Sequence, residues 1–169
     1  MADRGGGRGQ PASVADVPMD LQKFFPYRLA ILAENVSLAV AEIYAVRFNL
    51  TRWEWRVLAA LGGSSGIAAR DIGRITTLDK MQVSRAMRAL EARGIVTRSE
   101  APGDKRQRMV RLTAEGRALY REIVPLARDR EAAILAVLTP AERRALDDMI
   151  ARILQAAAAL RGEAGTRAG

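Results

Sequence analysis

The spacing of hydrophobic positions changes twice between residues 71 and 112, and the rest of the chain is organised around that stretch. Val83, Ala86, Met87 and Leu90 share one face at a 3.6-residue period, which predicts an amphipathic helix with those residues inward. Asp79 stands where an N-cap belongs, Gln82 lies at capping-box spacing from it, and Gly94 supplies a C-terminal stop. Met81, Ser84, Arg85 and Arg88 then face outward, with Gln82 at their flank. Residues 95–99 are rich in β-formers, and Pro102-Gly103-Asp104 is a turn signal. Residues 109–112 return with a period of two, Val110 and Leu112 on one side, Met109 and Arg111 on the other. Upstream, residues 67–74 read as a short helix with Ile72 inward, and Ile75-Thr76-Thr77-Leu78 as the turn after it. A helix, a turn, a second helix and a two-stranded hairpin make the layout of a winged helix-turn-helix, which places one helix in the major groove of DNA.

The flanks are helical. After Pro26, the residues Leu29, Leu32, Val36, Val40, Ile43 and Tyr44 recur at helical spacing with apolar residues on more than one stripe. A helix of that kind is shared between two surroundings, here the DNA-binding lobe and a dimer partner. Asn49-Leu50-Thr51 breaks it, and Thr51 caps a second helix carrying Trp53, Trp55, Val57, Leu58 and Leu61, with Trp55 and Leu58 inward. Thr113 caps a long helix with Leu119, Ile123, Leu126, Ile134, Leu135 and Leu138, bent at Pro125. Thr139-Pro140, with Glu142 at capping-box spacing, opens a last helix bearing Leu146, Met149, Ile150, Ile153, Leu154 and Leu160. The fold class predicted is mainly α with a small β-hairpin wing: a winged helix-turn-helix lobe plus a helical dimerisation region. The expected division is a disordered tail over 1–18, an N-terminal dimerisation helix over 19–49, the DNA-binding lobe over 50–112, C-terminal dimerisation helices over 113–160 and a frayed tail over 161–169. The flanking helices hold more apolar surface than one small lobe covers, which points to a homodimer.

Charge sharpens this picture. The formal net charge is +8. Residues 80–111 hold nine basic side chains against three acidic ones, a balance of +6 on a helix and a hairpin, the footprint of a phosphate-binding surface. The bland alternative is a solvated helix face. Cysteine and histidine are both absent. That removes the thiol nucleophile, the redox switch, the commonest metal ligand and the usual general base near neutral pH. Lys80, Lys105, Ser84 and Asp71 form no nucleophile–base–orienter set, so no catalytic residues, no metal and no cofactor are expected. No run approaches the apolar length of a membrane span, and the N-terminus has no signal core, so a soluble cytoplasmic protein is expected.

LDKMQVSRAMRALEARGIVTR followed by GDKRQRMVRLTAEG resembles the MarR family of bacterial transcription regulators. The ordered set D-K-x-x-V-S-R, L-E-x-R-G, D-x-R and L-T-x-x-G, at this spacing, carries the resemblance. It implies a homodimeric, sequence-specific regulator of double-stranded DNA with a pseudo-palindromic operator, a repressor released by a small aromatic effector. The cysteine-based peroxide-sensing branch is excluded. A constitutive or architectural DNA-binding protein without a ligand is the alternative, which Gln82 and Ser84, groups able to read base edges, argue against. The DNA-binding residues implied are Thr77, Lys80, Met81, Gln82, Ser84, Arg85 and Arg88, with Asp104, Lys105 and Arg106 on the wing, where Asp104 would hold the Arg106 guanidinium in the minor groove. The F-F-P-Y-R-L and L-T-x-W-E-W-R-V segments resemble the branch that senses hydroxycinnamate-type aromatics. An aromatic acid or its coenzyme A thioester would then meet Arg28 and Arg56 through its carboxylate, and Phe25, Tyr27, Leu32 and Trp55 around its ring. Against this, Trp55 is also readable as plain core, and Arg28 and Arg56 as ion-pair partners of Glu34, Glu42 or Glu54.

Overall fold

A computed structural model describes residues 18–101 and 104–167, with side chains except at 101, 104–107 and 162–167. It divides into two compact units, residues 1–36 and 37–169. The expected disordered tail falls outside the described residues, apart from Pro18. In the first unit, the Asp20 carbonyl accepts the amides of Lys23 and Phe24, and helix α1 (Phe25–Phe48) starts at once. Phe25, Tyr27, Leu29, Ile31 and Leu32 are all exposed there. One expectation needs correcting. By length and composition α1, with 24 residues, is apolar enough to cross a membrane. Glu34 and Glu42 interrupt the apolar run, so a search for an unbroken stretch passes over it.

The second unit contains the end of α1, then α2 (Arg52–Gly62), β1 (Ile67–Ala68), α3 (Ile72–Thr76), α4 (Lys80–Ala92), β2 (Val96–Ala101), β3 (Asp104–Leu112), α5 (Ala114–Ile134) and α6 (Pro140–Arg167). The mainly α fold with a winged helix-turn-helix is therefore as the sequence predicts. Its core gathers Tyr44, Leu50, Val57, Leu58, Leu61, Ile72, Met87, Leu90, Val110 and Ile123 from α1 to α5. Four helix starts are set locally. Thr51 and Glu54 complete a capping box on α2, and Asp79 and Gln82 complete one on α4. Thr113 accepts the Gly116 amide at α5, and Thr139 exchanges hydrogen bonds with Glu142 at α6. The Thr139 backbone amide, followed by its hydroxyl, holds the Glu142 carboxyl below its usual range.

The structure departs from the sequence reading in three places. The sheet has three strands in the order β1-β3-β2, not two. Ile67 and Ala68 pair antiparallel with Val110 and Met109, so the segment read as one helix is a strand, a 3-10 turn over Ala69–Asp71 and then α3. The apolar face expected to continue to Leu138 ends its α-helix at Ile134 and passes through a 3-10 turn, Leu135–Val137. At the C-terminus, helix α6 persists to Arg167 where composition predicts fraying. Its Ala156–Ala159 run favours helix, and an isolated glycine costs only about 1 kcal/mol.

Candidate nucleic-acid interface

The candidate reading surface is built on α4. Ala86, Met87 and Leu90 are buried and Val83 half-buried, so the helix is pinned along one face. Lys80, Met81, Ser84, Arg85 and Arg88 lie on the opposite face and are exposed. Lys80 and Arg85 make no hydrogen bond or ion pair with the described residues, and Arg88 turns back to the Ser84 carbonyl with a long contact of 3.4 Å. Gln82 is less free. Its side-chain oxygen accepts the Asp79 amide at 3.1 Å, closing the capping box. The amide nitrogen and one lone pair of that oxygen remain, but the cap fixes the orientation of a group whose two ends a bidentate adenine contact would need.

Thr77 lies ahead of α4 in the turn. It has left-handed backbone angles, φ 57° and ψ 26°, and caps the C-terminus of α3 through its amide to Gly73 O. Its hydroxyl donates to Thr76 O at 2.7 Å and accepts from Arg56 at 3.1 Å. Asp104, Lys105 and Arg106 lie in β3, but their side chains fall outside the described residues, so the expected Asp104–Arg106 pairing does too.

Of the nine basic residues in this stretch, the seven with described side chains divide into two groups. Arg98 pairs with Glu91, and Arg108 with Glu100 at 3.7 Å. Arg111 donates to Ser65 O at 2.9 Å and Ser99 Oγ at 2.6 Å, tying β3 to β2 and to the loop after α2. Arg93 donates to Phe48 O and Asn49 O at 3.0 and 2.8 Å, tying the end of α4 to the end of α1. Arg93 and Arg111 thus tie separate segments together, while Arg98 and Arg108 place their charge in partly exposed ion pairs. The charge available to phosphate on α4 is that of Lys80, Arg85 and Arg88. No local pattern marks Arg93 as structural, because its partners lie 44 and 45 residues away.

The six residues considered for an effector lie as follows. Phe25, Tyr27, Arg28 and Leu32 are exposed on α1 within the first unit. In the second unit Trp55 is half-buried and stacks on Tyr44, with ring centroids 5.4 Å apart and planes at 20°. Burial pushes the Tyr44 phenol above its usual pKa, and the guanidiniums of Arg52 and Arg56 pull it part of the way back. Arg56 points one guanidinium nitrogen at Thr76 O (3.4 Å) and Thr77 Oγ1 (3.1 Å). Two of the three anticipated rival partners are engaged elsewhere: Glu54 in the α2 capping box, Glu42 with Arg130 at 3.2 Å. A surface cavity of about 400 Å³ lies between the later part of α1 and α5 and is lined by Ile43, Arg47, Leu126, Asp129, Arg130 and Ala133. None of the six residues lines it.

Comparison with known proteins covers most of this architecture. The family model for the MarR family matches residues 48–107, from the end of α1 into β3. The HTH-type transcriptional repressor Rv2887 of Mycobacterium tuberculosis is 29% identical over 128 residues, 75% of this chain and 88% of that protein. The PcaV transcriptional regulator of Streptomyces coelicolor, solved with its natural ligand, superposes with a TM-score of 0.70 at 26% identity, covering 83% of this chain and 99% of that one. BpsR of Bordetella bronchiseptica, whose DNA binding is regulated by 6-hydroxynicotinic acid, superposes with a TM-score of 0.71 at 26% identity, covering 81% and 97%.

Proposed function

We propose that this chain, which matches the MarR family of winged helix-turn-helix transcription regulators over residues 48–107, acts as a homodimeric repressor that reads a pseudo-palindromic operator in double-stranded DNA and releases it when a small aromatic acid binds. The observation that carries the reading is the outer face of α4. Lys80, Met81, Ser84, Arg85 and Arg88 form an exposed row with cations and one hydroxyl, on a helix whose other face is locked in the core. Such a face reads base edges and phosphates and does no chemistry.

Dimerisation is supported by apolar residues that this chain leaves uncovered. On α6, Met149, Ile150, Ile153, Leu154 and Leu160 are 43–68% exposed, and α1 adds Leu29, Ile31 and Leu32. Apolar stripes of this extent on long helices are buried by a second copy in symmetric dimers. The same need accounts for the apolar length of α1 without a membrane, and a cytoplasmic location follows from the function. The wing residues Asp104, Lys105 and Arg106 are assigned to DNA binding, with Arg106 in the minor groove and Asp104 orienting its guanidinium on the D-x-R motif. For the effector, Arg56 is the cation of the second unit assigned to its carboxylate; its bonds to the turn occupy one nitrogen and leave the rest of the fork for an acid.

A second reading, a constitutive regulator without a ligand, is favoured by one observation: Trp55 and Arg56 both have protein partners, Tyr44 and the Thr76–Thr77 turn. One experiment orders these readings. The protein is mixed with fragmented genomic DNA, the retained duplex is recovered, and its affinity is compared with a scrambled duplex. Specific binding exceeds the scrambled control by a factor of about 10³ or more for a regulator of this kind. Equal affinities refute the sequence-specific reading. A panel of aromatic acids and their coenzyme A thioesters, titrated onto the complex, then separates the ligand-responsive regulator from the constitutive one.

A further inference from the structure

The turn between α3 and α4 decides where the reading helix begins, and it has an unusual residue at its centre. Thr77 adopts φ 57°, a left-handed conformation that β-branched side chains rarely take. Something must hold it there. Two backbone bonds contribute: the Thr77 and Leu78 amides both donate to Gly73 O. Buried Leu78 anchors the next position, and the Thr76 hydroxyl donates to Ile72 O at 2.6 Å. Among the described residues, the side-chain hydrogen bonds that reach this turn from another helix come from Arg56, which crosses from α2 to bond Thr77 Oγ1 and Thr76 O. The Thr77 hydroxyl is thereby fixed from both sides, donating to Thr76 O and accepting from Arg56. Arg56 itself sits on a helix locked by Val57, Leu58 and Leu61 in the core.

We propose that Arg56 is a positioning residue of the DNA-reading helix: by gripping the Thr76 carbonyl and the Thr77 hydroxyl it holds the turn in its left-handed form and fixes the start of α4, without touching DNA. The proposal rests on the reading of the chain as a DNA-binding regulator and adds to it a residue outside the groove-facing set. It also sets a route from α1 to the reading helix: Tyr44 of α1 packs on Trp55 of α2, the next residue is Arg56, and Arg56 holds the turn.

The test uses the full-length protein and a duplex selected from a random-sequence pool. Arg56→Ala is expected to weaken the selected duplex by about tenfold, while affinity for random DNA and its salt dependence stay as in the parent, because no phosphate contact is lost. Glycine adopts left-handed angles freely, so in a Thr77→Gly background Arg56→Ala is expected to cost less than about threefold, a non-additivity expected only if the two residues act through one turn. Arg56→Lys keeps a donor and is expected to fall between parent and Arg56→Ala. A second readout needs no DNA. Hydrogen exchange at the Leu78 amide is expected to accelerate about fivefold or more in Arg56→Ala, with the Leu90 amide in the core unchanged. Unchanged exchange at Leu78, equal acceleration at Leu90, or additive losses in the Thr77→Gly background each overturn the proposal. A parallel loss on random DNA with a flatter salt dependence overturns it too, by showing that Arg56 contacts phosphate. If no duplex is selected from the pool, the regulator reading falls, while Leu78 exchange still judges the grip of Arg56 on the turn.

Discussion

Gly116 gives the sharpest test of how the wing is joined to α5. It lies in the first turn of that helix, where replacing glycine by alanine ordinarily stabilises by about 1 kcal/mol. Here the sign reverses. A Cβ on Gly116 would stand 2.1 Å from Ile95 O and 3.1 Å from its carbonyl carbon, against an ordinary contact of 3.4 Å or more. The obstacle is backbone, and it is held from several directions: the Thr113 amide donates to Ile95 O at 3.1 Å, the Thr113 hydroxyl donates to Gly94 O at 2.7 Å, and Ile95 is buried at the start of the wing. Relief requires α5 and the residue leading into β2 to part by roughly 1 Å, an overpacking that costs about 1–3 kcal/mol. Parting them also weakens the Thr113 amide bond, worth about 1 kcal/mol. Set against the helix-propensity gain, Gly116→Ala is destabilising by about 1–3 kcal/mol, and its midpoint of thermal unfolding falls by about 3–10 °C. Circular dichroism at one fixed protomer concentration measures it, since the proposed dimerisation would make the midpoint concentration-dependent. Gly63→Ala is the control, because Gly63 has φ −90° and nothing within 4 Å of the new methyl group. A Gly116→Ala protein that melts at or above the parent would show that α5 does not pack against Ile95 as closely as described.

Four further outcomes are expected. Arg85→Ala weakens the operator by about 1–3 kcal/mol and blurs preference at one or two base pairs, whereas Lys80→Ala weakens all DNA evenly; equal losses on operator and random DNA for Arg85→Ala would reduce it to a phosphate contact. Arg106→Lys impairs binding at physiological salt because an ammonium lacks the planar fork that Asp104 would orient, and unchanged binding would refute the minor-groove role. Leu154→Glu, which places a charge in the exposed apolar stripe of α6, converts the dimer to monomer in light scattering at micromolar concentration; a parent protein that is already monomeric would remove the dimer from the proposal. Burial of Tyr44, the larger cause, raises its pKa above 10.0 in the fold. Its contribution is therefore complete below about pH 10 and is lost as pH rises through the raised value, so Tyr44→Phe flattens the alkaline limb of the stability profile.

What the sequence revealed follows the range of the forces involved. Caps act over three residues, so Thr51 with Glu54, Asp79 with Gln82, Thr113 with Gly116 and Thr139 with Glu142 are all readable from spacing, and each fixes a helix start in the structure. The inward face of α4 is equally local, since a helical period brings Val83, Ala86, Met87 and Leu90 together whatever surrounds them. Strand β1 is not local. Two residues cannot show a period, and Ile67 and Ala68 become a strand only because Val110 and Met109 offer a ladder to pair with.

The arginines make the same point for the candidate site. Counted along the chain, the nine basic side chains of residues 80–111 read as one phosphate-binding surface. Arg93, Arg98, Arg108 and Arg111 instead spend their donors on Phe48, Asn49, Glu91, Glu100, Ser65 and Ser99. A guanidinium carries five donors on a long stem, so it can hold backbone carbonyls from distant segments or grip a phosphate, and composition does not distinguish the two uses. The distinction lies in the length of chain between partners: 46 residues for Arg111 and Ser65, 20 for Arg56 and Thr76. Arg56 attracts notice in the sequence as a cation for a carboxylate ligand, yet its bonds go to the turn ahead of the reading helix. A DNA-binding module of this size needs cations for two tasks, neutralising phosphate and holding its own turns in register. An arginine that holds a turn would serve recognition without touching DNA, since a reading helix that shifts by about 1 Å loses the alignment on which base contacts depend.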